Sequence, residues 1–376
     1  MGNKFFYAII LLGVGGVVWG QEESDLSARI DAVFAEYDAP NVPGCAVGVI
    51  HDGTYVHAKG YGSANLEHGI PISPSSVFRI GSVSKQFTAA AIAILASRGE
   101  LDLDADVRQY LPDLRKYDNQ VTIRQMVHHT SGMGEYDLSY EVAPGRSFRF
   151  GNEDYWTVSE FYREVLNKPL ALAPGERFVY SNIAYFLLSQ VVEKVSGKTL
   201  REFTKQEIFG PLEMQATFFN DNIDGIVPNR ADGYLPLKDG SFEIFMTNLD
   251  WVGDGGVYTS LNDFIKWDQA FMTNQVPGGA EVQRLMETPD PLTEDTMESY
   301  FLDEGAGYGY GLEIGKYKGH RIHFHTGSWV GFRAAYARFA EADYSAVVMC
   351  NRSDVASGSD KRRELLDVVV AEFSNE

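Results

Sequence analysis

The sequence predicts an α/β (α+β) fold: a mixed, mainly antiparallel sheet flanked by helices, with an all-helical region inserted into it. Strand-like apolar runs occur near both ends of the chain, and a mainly helical pattern over about residues 100–260 separates them. A last helical pattern covers residues 361–373. Strands at both ends with helices between them fit one sheet built from both ends of the chain.

The individual elements follow from local patterns. Apolar residues at helical spacing predict a helix over residues 25–37, which Pro40 and Pro43 end. Asp52-Gly53 between two apolar runs predicts a hairpin, and the Ala-rich stretch 84–98 predicts a buried helix. The predicted strands cover residues 45–50, 55–60, 308–314, 321–325, 332–339 and 345–350, and the loops expected to wall a pocket cover residues 132–156, 218–250 and 286–306.

The N-terminus has the pattern of a secretory signal peptide over residues 1–20. Lys4 precedes an apolar run from Phe5 to Trp19, and Gly20 ends a small-residue cleavage pattern. An uncleaved membrane anchor is the alternative, but the run is short of the roughly 20 residues that a spanning helix needs. We therefore expect a single mature domain over residues 21–376, exported to the periplasm or the extracellular space, with no stable membrane insertion after cleavage.

The charge balance narrows the range of partners. The formal net charge is −20, which argues against nucleic acid and anionic membrane surfaces as partners. No phosphate loop, dinucleotide fingerprint or Gly-x-Ser-x-Gly elbow occurs, so no cofactor is expected. The expected partner is a small-molecule or peptide substrate, and the oligomeric state stays open.

The two cysteines, Cys45 and Cys350, lie in strand-like runs at opposite ends of the mature chain. They would face each other if the first and last strands are antiparallel neighbours. Two buried free thiols are the alternative, because Cys packs well as a small apolar residue. A catalytic role for either Cys is disfavoured, since no motif places a His to activate it.

The first candidate for chemistry is the segment Phe78-Arg79-Ile80-Gly81-Ser82-Val83-Ser84-Lys85, directly before the buried helix. A three-residue spacing at a helix start brings Ser82 and Lys85 within mutual reach. Ser becomes a nucleophile when a base takes its proton, and a Lys with a lowered pKa can be that base. The structural alternative is a helix cap at Ser82 beside a solvated Lys85.

Two later segments add to this candidate. Tyr180-Ser181-Asn182 opens an apolar helix, where Tyr180 could share proton transfer and Asn182 could bind a substrate amide and orient Lys85; a buried structural Tyr is the alternative. Near the chain end, His325-Thr326-Gly327-Ser328 lies on a predicted strand. Gly327 permits close approach of a ligand, and the Ser328 N–H could join that of Ser82 as an oxyanion hole.

These three ordered motifs resemble those of the penicillin-recognising serine hydrolases. The branch concerned holds class C β-lactamases, D,D-carboxypeptidases and related esterases and D-aminopeptidases. The segments from Val121 to Met133 and from Gly253 to Ser260 are also similar to this family, and the likeness spans roughly residues 30–370. Three motifs in order are a much more specific signal than any one of them.

The resemblance implies a role for each matched residue. Ser82 would be the acylated nucleophile, Lys85 its general-base partner and Tyr180 a second proton shuttle, with the choice of base between Lys85 and Tyr180 left open. Asn182 would bind substrate, and His325 to Gly327 would form the strand edge along which the substrate lies.

The third motif begins with His325 where many β-lactamases have a Lys, and His is largely neutral at pH 7. The motif is similar to that of the D,D-peptidase and aminopeptidase members. We therefore expect D,D-peptidase, D-aminopeptidase or esterase activity, with weak hydrolysis of β-lactams. The alternatives are a class C-like β-lactamase, a receptor that is acylated without turnover, and a structural wall-associated protein with an inactive site.

Other histidines carry less weight. His320, His323 and His325 are close in sequence, but no carboxylate or Cys completes a zinc site at familiar spacing, so no metal is expected. His128 and His129 are predicted to be packing residues in a turn.

Overall fold

The computed structural model describes residues 19–136, 141–143, 146–147, 154–353 and 360–374. Most of the predicted signal peptide lies outside these residues; Trp19 and Gly20 begin the first helix. The helices of the described part are α1 Trp19–Phe34, α2 Lys85–Ser97, α3 Ile123–Val127, α4 Val158–Val165, α5 Asn182–Ser196, α6 Leu200–Thr204, α7 Leu261–Met272, α8 Ala280–Met286, α9 Pro291–Thr296 and α10 Lys361–Phe373.

Seven antiparallel strands form the central sheet, in the order β12-β13-β14-β15-β16-β1-β2. The strands of the described part are β1 Cys45–His51, β2 Thr54–Tyr61, β3 Ser63–Asn65, β4 Ile70–Pro71, β5 Phe78–Arg79, β6 Glu141–Ala143, β7 Arg146–Ser147, β8 Phe218–Phe219, β9 Tyr234–Pro236, β10 Phe242–Ile244, β11 Val257–Thr259, β12 Glu304–Tyr308, β13 Glu313–Tyr317, β14 His320–Trp329, β15 Phe332–Phe339 and β16 Tyr344–Cys350.

Each face of the sheet packs against a different set of helices. Along β1, Val47 and Val49 face α1 and α10, whereas Ala46 and Ile50 belong to the larger core with α2, α5 and α7. β1 and its neighbour β16 are therefore covered on both faces. This explains why their sequences are continuous apolar runs rather than alternating ones, because both side-chain directions lead into a core.

The predicted fold class is confirmed: the sheet is mixed from both ends of the chain, mainly antiparallel and flanked by helices. The proposed domain boundaries stay predictions, and the mainly helical stretch also contains short strands β6 to β11.

The strand predicted over residues 308–314 is wrong. The chain turns between β12 and β13, where the Gly309 N–H donates to the Leu312 carbonyl. Gly311 has φ +77°, and a Cβ there would lie 2.4 Å from the Gln86 nitrogen. The turn therefore packs directly on the start of α2. This contact is long-range, so no local sequence pattern predicts it.

Cys45 and Cys350 form a disulfide. They lie directly opposite each other in the β1–β16 pairing, as expected if the first and last strands are antiparallel neighbours. The bond ties the two ends of the chain on the face that α1 and α10 cover. Among the residues that the model describes, no helix combines the length and apolar character needed to cross a membrane.

Candidate active site

Ser82 and Lys85 are in contact at the start of α2. Ser82 belongs to a single 3₁₀ turn, Gly81–Ser84, and Lys85 is the first residue of the following helix. The Lys85 Nζ donates to the Ser82 Oγ over 3.1 Å. Ser82 is half-buried, so its hydroxyl remains accessible, whereas Lys85 is fully buried.

The atoms that accept hydrogen bonds from Lys85 in the described part of the chain are polar and uncharged. Its Nζ also donates to the Asn182 Oδ1 over 2.7 Å and to the backbone carbonyl of Asp254, and it lies 4.8 Å from the centre of the Tyr180 ring. Burial lowers the pKa of Lys85 to about 8, and the more distant charges of Asp254 and Glu135 oppose the shift. A lysine with this pKa can accept a proton from a hydroxyl near neutral pH.

Tyr180 is held by His129. The His129 Nδ1 accepts the Ser181 N–H over 3.0 Å, its backbone carbonyl accepts the Val179 N–H over 2.8 Å, and its ring lies 4.3 Å from the Tyr180 ring. Desolvation raises the pKa of Tyr180 well above its ordinary value, and the neighbouring Ser82 hydroxyl offsets only part of this rise. Of the two candidate bases, Lys85 is therefore the one that loses its proton at the lower pH.

Asn182 joins Lys85 to a carboxylate that sequence reasoning missed. Asn182 is the first residue of α5, whose cap is Ser181: the Ser181 Oγ accepts the Ala184 N–H over 3.1 Å. The Asn182 amide Nδ2 and backbone N–H each donate to Glu135 over 3.0 Å. Burial raises the pKa of Glu135, and its hydrogen bonds with Asn182 oppose the rise. Glu135 itself is exposed to solvent beside Asn182.

The strand edge of the third motif lies against the turn that carries Ser82. β13 pairs with β14 only as far as Phe324. Beyond this point, the edge of β14 that faces away from β15 lies against the Gly81–Ser84 turn. A Cβ on Gly81 would lie 2.7 Å from the Ser328 nitrogen, and a Cβ on Gly327 would lie 3.2 Å from the Ser82 nitrogen. Only glycines allow this approach, which brings the backbones of Ser82 and Ser328 together. Thr326 lies between His325 and this contact.

His325 is a neutral residue at this edge. Its Nδ1 donates to the Thr326 carbonyl, so its Nε2 accepts from the Tyr308 hydroxyl over 2.9 Å. Burial lowers its pKa to about 3, and the positive charge of Lys85 adds to the shift. Both ring nitrogens are engaged, which leaves His325 neither a fixed cation nor an open metal ligand.

A pocket with a cavity volume of about 70 Å³ opens to solvent beside Ser82. Its described lining consists of Arg79, Gly81, Ser82, Tyr136, Asn182, Trp251, Asp254, Gly255, Ser328 and Trp329. The expectation that loops 218–250 and 286–306 wall the pocket is wrong for this lining, because only Tyr136, from the loop 132–156, comes from any of the three. Other walls come from Arg79 on β5, from residues 251–255 directly after the loop 218–250, and from Ser328 and Trp329 at the end of β14. Long-range strand pairing brings β5 and β14 to Ser82.

The structure thus places all eight residues of the three predicted motifs around the Ser82–Lys85 contact. Sequence reasoning missed Glu135, Arg79, Trp251 and Trp329, and it assigned His129 to packing alone. Two family-like segments, Val121 to Met133 and Gly253 to Ser260, lie beside Glu135 and contain Asp254. They indicated that these regions belong to the site, but they assigned no role to either residue.

An α/β fold with a Ser–Lys contact between a sheet edge and a helical layer is that of a penicillin-recognising serine hydrolase. The family model described as Beta-lactamase matches residues 30–370. The chain belongs to the Beta-lactamase family and is a serine hydrolase.

Among its curated relatives is a D-aminopeptidase of Gluconobacter oxydans, 29% identical over 336 residues, which cover 88% of this chain and 60% of the relative. A penicillin-binding protein of Bacillus subtilis is 27% identical over 320 residues, which cover 80% of this chain and 66% of the relative. The chain thus spans about 60% of the length of the D-aminopeptidase it matches.

Two solved structures show the likeness of fold. The octameric penicillin-binding protein homologue from Pyrococcus abyssi has a TM-score of 0.77 at 27% identity, covering 95% of this chain and 78% of that one. The D-amino acid amidase from Ochrobactrum anthropi SV3 has a TM-score of 0.72 at 20% identity, covering 93% and 99%.

Proposed function

We propose that this chain is an exported D-aminopeptidase or D-amino-acid amidase that works through an acyl-enzyme on Ser82. The observation that carries the proposal is the contact of Ser82 with a buried lysine whose pKa is lowered to about 8 and whose direct partners are all uncharged. This arrangement supplies an activated hydroxyl without a metal ligand or a catalytic histidine.

The proposed reaction proceeds in two steps. Neutral Lys85 takes the Ser82 proton while the Ser82 Oγ bonds to the substrate carbonyl carbon, and the N–H groups of Ser82 and Ser328 stabilise the oxyanion. The C–N bond then breaks, and the proton reaches the leaving amine through the Tyr180 hydroxyl. In the second step water takes the place of the amine and releases the acid, with Lys85 and Tyr180 moving the proton in reverse.

Glu135 directs the proposal toward substrates with a free amino group. Its carboxylate accepts two hydrogen bonds from Asn182. In this position it would also bind the ammonium group of a substrate. The similarity to a D-aminopeptidase at 29% identity supports the same class. A neutral His325 removes the fixed cation that a β-lactam carboxylate would need at this edge, so we expect slow β-lactam turnover.

The disulfide between Cys45 and Cys350 supports the export part of the proposal, because such bonds persist in oxidising compartments. Expression of the full-length chain followed by fractionation, with N-terminal sequencing of the mature protein, tests it. A mature chain that begins at Gln21 and lies outside the cytoplasm is expected. An intact N-terminus in the cytoplasm would contradict it.

The test of the activity compares matched substrates on the purified mature protein. We expect hydrolysis of D-alanine p-nitroanilide, little of its L-enantiomer or its N-acetyl derivative, and none by the Ser82→Ala variant. Glu135→Gln should lower kcat/KM for the free-amino substrate by roughly 10- to 100-fold through KM while sparing an uncharged ester. Equal rates on the free and acetylated substrates would reject the role of Glu135.

Intact-mass analysis after brief exposure to a penicillin separates the remaining alternatives. An adduct that is absent from Ser82→Ala and decays slowly fits the proposed enzyme. Rapid decay with product release would indicate a β-lactamase. A permanent adduct, combined with no turnover of any amide or ester, would indicate a receptor.

A further inference from the structure

Arg79 is a buried cation that opens into the pocket beside Ser82. Its side chain belongs to β5, three residues before Ser82, and the residue is only 4% exposed. It lines the pocket together with Trp251 and Trp329, and its guanidinium lies 5.0 Å from the centre of the Trp329 ring.

No residue that the structure describes accepts a hydrogen bond from the Arg79 guanidinium or forms an ion pair with it. Asp254 is the carboxylate that lines the same pocket, but it accepts from the Tyr136 hydroxyl over 3.0 Å and forms no ion pair with Arg79. Burial lowers the pKa of Arg79, and Tyr258, Asp254 and Tyr136 oppose the shift only from a distance.

An unpaired guanidinium at this depth is costly, because burying a charge without a partner loses its hydration. Among the described residues, the other buried arginine, Arg338, pairs with Glu287 at 3.2 Å, and the buried Lys85 donates three hydrogen bonds. Arg79 differs in that its open side is the pocket. The missing partner therefore fits a group that arrives with the substrate.

We assign this pocket to the acyl side of Ser82 from the role proposed for Tyr180. The leaving group must receive its proton, and the hydroxyl assigned to that step is Tyr180, which packs toward His325 and does not belong to the described lining of the pocket. A group bound in the pocket is therefore carried by the part of the substrate that becomes attached to Ser82.

We propose that Arg79 is a specificity determinant that binds a carboxylate on the acyl part of the substrate, such as the side chain of an acidic D-amino acid. This inference rests on the proposed D-aminopeptidase or amidase function. Within it, Glu135 takes the ammonium group, Arg79 takes the side-chain carboxylate, and the Trp251 and Trp329 rings cover the apolar atoms between them. Arg suits this task because its planar group binds a carboxylate through two parallel hydrogen bonds.

The test compares the p-nitroanilides of D-glutamate and D-glutamine, which differ in one charge at nearly equal shape. We expect the wild type to prefer D-glutamyl over D-glutaminyl substrate by roughly 10- to 100-fold in kcat/KM. Arg79→Gln should abolish or invert this ratio, and Arg79→Lys should retain part of it. A wild-type ratio near one, or a ratio unchanged in a folded Arg79→Gln protein, overturns the proposal.

A second pair of substrates tests the side of the pocket. D-alanyl-D-alanine carries its carboxylate on the leaving group, and D-alanyl-D-alaninamide lacks it. If Arg79→Gln changes this ratio and leaves the glutamate to glutamine ratio alone, the acyl-side assignment is overturned.

A binding measurement separates this proposal from the proposed function. Calorimetry with benzoate and benzamide on the wild type and on Arg79→Gln needs no turnover. If no D-amino-acid substrate is hydrolysed but benzoate binds more tightly than benzamide only when Arg79 is present, the carboxylate site stands and the proposed function fails. If D-amino-acid amides are hydrolysed with no charge preference and benzoate binds no better than benzamide, the function stands and the Arg79 site fails.

Discussion

Two lysines on opposite faces of the same sheet show how this fold makes one of them a base. Lys361, at the start of α10, keeps 13% of its side chain exposed and pairs with Glu36 at 3.1 Å and Glu364 at 3.2 Å. Burial alone would lower its pKa, but these partners outweigh it and raise the pKa. Lys85 is fully buried, its hydrogen-bond acceptors in the described part of the chain are all neutral, and its pKa falls to about 8.

The difference lies in the partners rather than in the number of hydrogen bonds. A carboxylate in contact holds the proton on lysine, whereas a hydroxyl, an amide and a carbonyl stabilise the ammonium without a full opposing charge. The α1/α10 face is therefore built for stability, and the α2/α5 face keeps an ionisable group near its point of titration. The predictions below test this contrast.

The largest effect is expected from Lys85→Met. Loss of the base should lower kcat/KM roughly 10³- to 10⁴-fold, because the Ser82 hydroxyl then has no group to take its proton. The thermal midpoint should fall little or rise, since a buried ammonium is removed. Steady-state kinetics and thermal unfolding measure both. Activity within tenfold of wild type would transfer the role of base to another residue.

The second effect concerns the face that carries no chemistry. The paired change Cys45→Ala and Cys350→Ala should lower the free energy of unfolding by about 2–5 kcal/mol, because it frees a loop of 305 residues in the unfolded chain. The value of kcat/KM at 25 °C should stay within about twofold, since the bond lies across the sheet from Ser82. Denaturant unfolding and kinetics on the same samples check this. A large loss of activity in folded protein would show that the two faces are coupled.

The third effect is the pH profile. Lys85 is protonated below its pKa of about 8 and cannot act as base there, so kcat/KM should rise with pH to a plateau, with a midpoint near 8. Glu135→Gln should move this midpoint downward, because the Glu135 charge raises the pKa of Lys85. An upward movement would contradict the electrostatic assignment.

The same shift predicts a dependence of stability on pH. Between about 8 and the ordinary value of 10.5, the unfolded chain binds a proton at Lys85 that the folded chain does not. Wild type should therefore gain stability relative to Lys85→Met as the pH rises through this window. Unfolding of the two proteins at a series of pH values measures the difference.

The smallest effect is expected from Lys361→Met, the matched control on the other face. Because the two carboxylates that pair with Lys361 remain in contact with solvent, its ion pairs contribute at most about 1 kcal/mol, and the change should leave kcat/KM and its pH midpoint unaltered. Kinetics and thermal unfolding beside Lys85→Met check this. A shifted pH midpoint would mean that the profile reports the protein's charge as a whole rather than Lys85.

The sequence was most informative where the interaction is local. The three-residue spacing of Ser82 and Lys85 brings their side chains together on any helix start, and the apolar runs of β1 and β16 indicate strands buried on both faces. The sequence allows Cys45 and Cys350 to face each other if those strands are neighbours, but it leaves free thiols as an alternative that the structure decides against. The order of the three motifs supplied what spacing alone did not, namely that Tyr180 and Asn182 belong to the same site.

The rest depends on contacts that no short window contains. Arg79 enters the pocket because β5 pairs with β11, about 180 residues further along the chain, and Glu135 gains its role through Asn182. The sequence predicts a strand through Gly311, and the turn found there depends on packing against Gln86, which is more than 200 residues away in sequence.

The neighbouring position of β1 and β16 also dictates the order of events during synthesis. β1 is made early, but its neighbour β16 ends only at Cys350. The strands β12 to β15 lie beyond β16 in the same sheet. The sheet therefore cannot close until synthesis has passed Cys350, about 300 residues after β1, and pairings this distant in sequence form slowly. Until β16 is made, β1 therefore presents an unpaired strand edge with no partner strand, which other chains could bind.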